Sequence, residues 1–367
     1  MVNKTCSYGA ILLMAICFTL PLTDSTACAE LTAVTPPSVS PFWGLVDIDL
    51  VSSEEGWAIG YDSSNKRGVI LHYSKGAWNS IVPPKVSVDW HLSGVSFSSS
   101  NGGWAVGHDN IKEAGVLLRY FDDTWISVSP PRISSDWALR DVYSISPNHG
   151  WAVGCDYSNR KGILLQYSNG SWTSISPPDL GLGWELFAVH FTSLEQGWAV
   201  GHDNSKERAV LLQYSKGSWS SVPPPDAGSN WTLKDLHFVS ADEGWAVGED
   251  RSNGSKRSGA ILHYTAGAWI SVPSPNVSSS WGLDDVHFTS SEEGWAVGVD
   301  HANRKGILLH YSKGTWTNAM PPDLDSYWEL GGVDFYSPEK GWIVGGDVSG
   351  GKGVLLKYSS PGKGPEN

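Results

Sequence analysis

Three histidines in this sequence share one recurring position. His190, His237 and His287 each close a W-x-L-x-x-(V/L)-H-F segment, and Asp334 stands at the same place in the next such segment. Three imidazoles and a carboxylate, if folded onto one axis, are a zinc-type ligand set. The equivalent position elsewhere holds Asp49, Ser96 and Tyr143. Metal ligands need tight geometry and supporting contacts, which such variation does not favour. The expectation is therefore no resident metal and no cofactor.

A second set is strictly repeated. Asp62, Asp109, Asp156, Asp203, Asp250, Asp300 and Asp347 each stand two residues after the final Gly of a G-W-(A/I)-(I/V)-G segment. A calcium site would need six to eight converging oxygens. An Asx-turn needs only the carboxylate and the backbone N–H groups that follow it, and Asp62 to Asn65 suits that well.

A third set is aromatic. Trp43, Trp90, Trp137, Trp184, Trp231, Trp281 and Trp328 lead their segments. Packing between repeats is the simpler expectation for so large a side chain. The functional alternative is a ring of platforms for sugar or peptide faces. Basic residues punctuate the loops nearby: Lys66-Arg67, Lys112, Arg160-Lys161, Lys206, Lys256-Arg257, Arg304-Lys305 and Lys352. They are either a solvated surface or a collar that steers an anionic partner. One loop, after Asp250, is longer than its counterparts and adds Arg251, Lys256 and Arg257. Candidate ligand-binding residues are these three and the seven leading tryptophans. No nucleophile elbow, phosphate loop or isolated pair of carboxylates is present, so no catalytic residue is assigned.

The elements that must position these side chains are repeats. Trp57, Trp104, Trp151, Trp198, Trp245, Trp295 and Trp342 recur at intervals of 47 residues, once 50. Each unit contains four short β-rich runs separated by turn residues, with no helical periodicity. Four antiparallel strands at this period predict a propeller blade, and seven units predict an all-β, seven-bladed β-propeller. The seventh unit lacks its fourth strand. Leu31-Thr32-Ala33-Val34-Thr35-Pro36-Pro37 matches Trp172-Thr173-Ser174-Ile175-Ser176-Pro177-Pro178, with Leu for Trp. The N-terminal strand is thus expected to close the last blade and remove an open edge. Strand alternation puts the second-to-third and fourth-to-first connections on one face, the top. The aspartates, the leading tryptophans, the collar and the insertion all fall there.

Residues 1–29 read as a signal peptide: Lys4, an apolar run from Ala10 to Leu20, then Ala27-Cys28-Ala29 as a small-x-small cleavage site. Lipidation at Cys28 is the weaker reading. The propeller should span 30–361, followed by a short tail, 362–367. The apolar run is too short to cross a bilayer, and no other membrane segment is evident. Cys155 is the one cysteine beyond the signal, so no internal disulfide can form there. The net charge of −13 argues against nucleic acid.

The motifs L-x-x-V-x-F, G-W-A-V-G and I-L-x-Y resemble the photosystem II stability and assembly factor-like propellers, relatives of the Asp-box (BNR) repeat proteins. The resemblance covers Glu30 to Tyr358. It departs at the Asp-box turn, which is shortened here to Ser74-Lys75-Gly76-Ala77-Trp78 and its counterparts. The resemblance implies a non-enzymatic binding or scaffold role and supplies no individual functional residue. The expectation is an exported protein, secreted or periplasmic at the cell envelope, monomeric, and binding a protein or glycan on its top face. A multivalent lectin is the alternative, and a sialidase-like hydrolase the third reading.

Overall fold

The computed structural model describes residues 30–225, 230–254, 256–324 and 326–360. The expected signal peptide, 1–29, and the tail, 362–367, lie outside them. The described residues form seven four-stranded antiparallel sheets. The first strands of successive blades touch around a ring, and the seventh (Trp328–Ser337) touches the first (Trp43–Ser52).

The N-terminal strand, Glu30–Ala33, is the outer strand of the seventh blade. Leu31 pairs with Tyr358 as Trp172 pairs with Tyr167, and the Val34 N–H donates to the Leu355 carbonyl at 2.8 Å. Closure by the chain's own beginning, expected from the sequence, is what the structure shows.

Aromatic rings cement the blades. Trp57, on the second strand of blade one, stacks on Phe97 of blade two at 5.4 Å and meets Trp125 edge-on at 5.4 Å. Trp151 does the same with Phe191 and Trp219, and Trp245 with Phe288 and Trp316. Such pairs contribute about 0.5–1.5 kcal/mol each beyond area burial. In the closing blade Trp295 meets Phe335 and Tyr358, with Leu31 packed against the same cluster.

Every first strand carries a bulge, between Leu45 and Asp47 in blade one and at the equivalent places in the others. The glycine that ends G-W-A-V-G makes room for it. A Cβ on Gly60 would lie 2.0 Å from the Gly44 carbonyl oxygen. The bulge turns Leu45 and Ile48 into the blade interface and Asp47 and Asp49 toward the axis.

The blade-five insertion differs from expectation. It extends the hairpin rather than lengthening a loop. Its strands run Glu243–Asn253 and Lys256–Thr265 and pair out to Asn253 with Lys256. Added residues that keep antiparallel pairing satisfy their own backbone groups.

Candidate functional site on the top face and axial channel

The repeated aspartates close turns, as their spacing suggested. Asp62 Oδ1 accepts from Asn65 N at 3.0 Å and from Ser40 Oγ at 2.7 Å, and Oδ2 accepts from Asn65 Nδ2 at 2.7 Å. Asp300 repeats this with Asn303 and Ser278. Burial opposes ionisation of both carboxyls, but the hydrogen bonds outweigh it and hold them below the usual carboxylate range. Their oxygens are used locally. Much of the basic collar is too: Lys112 pairs with Asp109 at 3.3 Å, Lys206 with Asp203 at 3.1 Å and Lys66 with Asp89 at 3.5 Å.

Six of the leading tryptophans, Trp43, Trp90, Trp137, Trp184, Trp281 and Trp328, are buried. Each lies over a glycine of the preceding blade: Gly353, Gly68, Gly115, Gly162, Gly259 and Gly306 respectively. Their rings are not open to a ligand. Trp231 differs, being only partly buried. Its preceding blade has Ala209 where the others have glycine, and the added methyl keeps the indole from seating fully.

The insertion residues converge on one carboxylate. Glu249, 2% exposed, receives Arg251 at 2.8 Å, Lys234 at 3.1 Å and Arg257 at 3.4 Å. Lys234 also reaches Asp284 at 2.6 Å. Burial raises the Glu249 carboxyl's pKa, but Lys234 and Arg251 overcome that and leave it lowered. Lys256, near the hairpin tip, is exposed. Cys155 is buried, and burial with the nearby Glu185 pushes its thiol up to about 12, so it is no ready nucleophile.

Along the axis the structure brings the three histidines side by side. His190 and His237 lie 4.9 Å apart between ring centres, His237 and His287 4.5 Å, and Tyr143 sits 4.4 Å from His190. His287 Nδ1 bonds Asp334 at 2.9 Å. Among the described residues no group of three or more His, Cys, Asp or Glu side chains is arranged to hold a metal ion. Burial pushes His190 down to about 3 and His237 well below the usual imidazole range, so both rings are neutral.

One ring was missed in the sequence. Asp47, Asp141, Asp235 and Asp285 follow the bulge and face the channel. Each reaches across to the next blade, taking the N–H of Val95, Val189, Val286 or Val333. The inner strands, which do not pair with one another, are laced together this way. The recurring W-x-L-x-D signal was available, but the bulge concealed its direction.

Exposed apolar side chains also mark the top connections. Phe42, Val88 and Leu182 lie between fourth and first strands, and Ile111, Tyr157 and Val348 between second and third strands. These six occupy blades seven, one, two, three and four; Met320, more exposed still, lies on the blade-six connection, and Phe121, Leu194 and Tyr336 are exposed at the bottom.

No family model and no curated protein matches the chain by sequence. Solved structures match it by fold. One described as YCF48 bound to D1 peptide superposes with a TM-score of 0.61, covering 90% of this chain and 97% of its own, at 18% identity. YCF48 from Cyanidioschyzon merolae gives 0.59, covering 90% and 98%, also at 18% identity. In fold, the chain is similar to these propellers. The Dos1 propeller is a more distant match, with a TM-score of 0.52 at 10% identity, covering 87% of this chain and 78% of its own. The YCF48-like architecture agrees with the resemblance drawn from the G-W-A-V-G repeats, and identities this low speak of fold alone.

Proposed function

We propose that the protein is an exported, non-catalytic scaffold that holds a protein segment on its top face. The observation that carries this reading is the run of exposed apolar side chains on the top connections, densest on blades seven to four. Apolar groups on adjacent connections, beside fixed charges, mark an interaction surface more than scattered single ones do. The insertion around Glu249 supplies the charged side, with Arg251 and Arg257 oriented by the buried carboxylate. A fitting partner segment presents apolar side chains to this run and polar ones toward blades five and six. The fold's use in YCF48, solved with a D1 peptide, supports a peptide-binding role. A glycan reading has less support, because six of the tryptophan faces it needs are covered. A catalytic reading has less too, because the repeated aspartates are committed to turns. The signal-peptide pattern of residues 1–29 supports export to the cell surface or periplasm.

The test is affinity capture from the native host with a tagged protein and two variants. Val88→Asp with Ile111→Asp alters the top run at two exposed residues. Glu54→Lys with Glu292→Lys alters the bottom. Both variants are first shown to melt like the parent. The captured protein should be lost with the top variant and kept with the bottom one. The reverse pattern refutes the assignment.

A further inference from the structure

The lower half of the axial channel is a chamber of about 380 Å³, lined from Asp47 down to Val51 and by the equivalent residues of the other first strands. Its lining is lopsided in charge. Six carboxyls face it, in an upper ring (Asp47, Asp141, Asp235, Asp285) and a lower pair (Asp49, Asp334), and no lysine or arginine does. We propose that this chamber binds a compact organic cation, a primary ammonium, presented either by a free diamine or by a lysine side chain entering from the bottom face.

The case rests on which groups are already committed. Asp334 bonds His287 and takes the N–H of Leu50 from the neighbouring blade. The upper carboxyls are bonded to backbone N–H groups across blades, and Asp235 also bonds Asp285. Asp49 is different. Its Oδ2 takes the Phe97 N–H at 2.9 Å, whereas Oδ1 has no bond among the described residues. His190, 8% exposed, lines the same chamber with neither ring nitrogen hydrogen-bonded among the described residues; Nδ1 is closed off, which leaves Nε2 to face the chamber. An uncommitted carboxylate oxygen and neutral imidazole nitrogens match the three donors of an ammonium. An anion would meet six carboxyls and no lysine or arginine. An apolar guest would leave the carboxyls unsolvated. A metal ion finds no ready set of three ligands among the described residues.

The chamber's titration is consistent with this. Burial, then the neighbouring Asp334, pushes Asp49 up to about 8, and burial pushes Asp141 up to about 7. Burial raises Asp47, Asp235 and Asp285 as well. His190 and His237 stay neutral. For His287, burial opposes charging but Asp334 favours it more, so its pKa is raised. Tyr143 is pushed up to about 12 by burial. The chamber therefore holds protons in place of counter-ions. On binding, the ammonium takes the place of the Asp49 proton, which leaves to solvent, so affinity rises with pH up to about 8.

Isothermal titration of the full protein tests this with two probes, 1,4-diaminobutane and Nα-acetyl-lysine amide, at pH 6 and pH 8. Binding of either should be at least about tenfold tighter at pH 8, with proton release visible across buffers of different ionisation heat. Asp49→Asn, whose amide oxygen can still accept the Phe97 N–H, should weaken binding at least about tenfold. Should Asp49→Asn fold poorly, His237→Lys places an ammonium in the chamber within the chain and should abolish uptake. Binding of the diamine alone assigns a free ligand, and binding of the lysine amide alone assigns a partner side chain. No binding of either probe at 10 mM, roughly the weak limit of specific recognition, overturns the proposal. Binding that is unchanged in both variants overturns it too.

Discussion

Placing a methyl under a buried leading tryptophan should unseat it, and Gly162→Ala is the direct test. A Cβ built on Gly162 lies 2.2 Å from the Trp184 ring. Carbon atoms rest at about 3.5–4.0 Å, so the ring must retreat by about 1.4 Å. Trp184 is 1% exposed and its indole N–H donates to the Gly181 carbonyl at 3.3 Å, so it has little slack. Overpacking of this kind costs about 1–3 kcal/mol. Alanine recovers part of that, because glycine in a strand costs about 0.5–1 kcal/mol in chain entropy. With about 2.1 cal/mol/K of unfolding entropy per residue over about 330 residues, a loss of 1–3 kcal/mol lowers the melting temperature by about 1.5–4 °C. Calorimetry reads that shift. Indole ¹H–¹⁵N NMR reads the local event, with Trp184→Phe supplying the assignment: the Trp184 N–H should exchange faster with water. The converse variant, Ala209→Gly, should let Trp231 seat fully and slow its exchange. If Gly162→Ala leaves both the melting temperature and the Trp184 signal unchanged, the glycine is not what seats the tryptophan, and the account of Trp231 fails with it.

Two further outcomes follow from the same geometry. Deleting Leu31 to Pro37 removes the outer strand of blade seven and uncovers Tyr358 and Leu356; the shortened protein should melt well below the parent and self-associate in size-exclusion chromatography, and an unchanged, monomeric product would refute closure. Asp49→Asn should stabilise the protein increasingly as pH rises: the carboxyl's pKa is raised by burial and Asp334 to about 8, so its contribution to stability is present below its unfolded pKa and is lost as pH climbs through about 8. Urea unfolding at pH 5 and pH 8.5 should show the variant gaining relative to the parent at the higher pH, and equal differences at both would refute the buried, protonated carboxyl.

The ring, its count and its closure were legible because they depend on local chemistry repeated seven times. Turn residues at fixed offsets and a single missing tryptophan were enough to place Leu31 beside Tyr358. The turn role of Asp62 and Asp300 was legible for the same reason, since an Asx-turn involves only the following three residues. The channel carboxyls were not. Strict alternation from Trp43 puts Leu45, Asp47 and Asp49 on one face, but the bulge after Leu45 reverses the side chains, so Leu45 enters the blade interface and Asp47 the channel. The grip on Glu249 was hidden differently. Lys234, Glu249, Asp284 and Arg257 come from four strands and two blades, and no spacing in the chain announces that they meet. Arg251, Lys256 and Arg257 were singled out as binding candidates, yet two of the three are held by Glu249, and only their orientation remains to serve a partner.

Where the repeat varies is physically informative. Each blade must fit between two others, so the side chains that make that fit, Trp57, Ala58, Leu71 and Trp78 and their counterparts, can differ little without opening a seam. Residues on the axis border the channel as well as the next blade, and the Asp49 position runs through Asp, Ser, Tyr, His and Asp. The top connections share that freedom: they carry the exposed Phe42, Val88 and Ile111 on one side and the Glu249 cluster on the other. Asymmetry in a symmetric scaffold thus collects where packing does not forbid it, at the axis and on the top. A ligand that must be oriented rather than merely held needs that asymmetry, because a sevenfold surface offers it seven equivalent poses. The Glu249 cluster on one side of the top, and the chamber's lower ring with acid on blades seven and one and imidazoles on blades four to six, each leave one pose favoured.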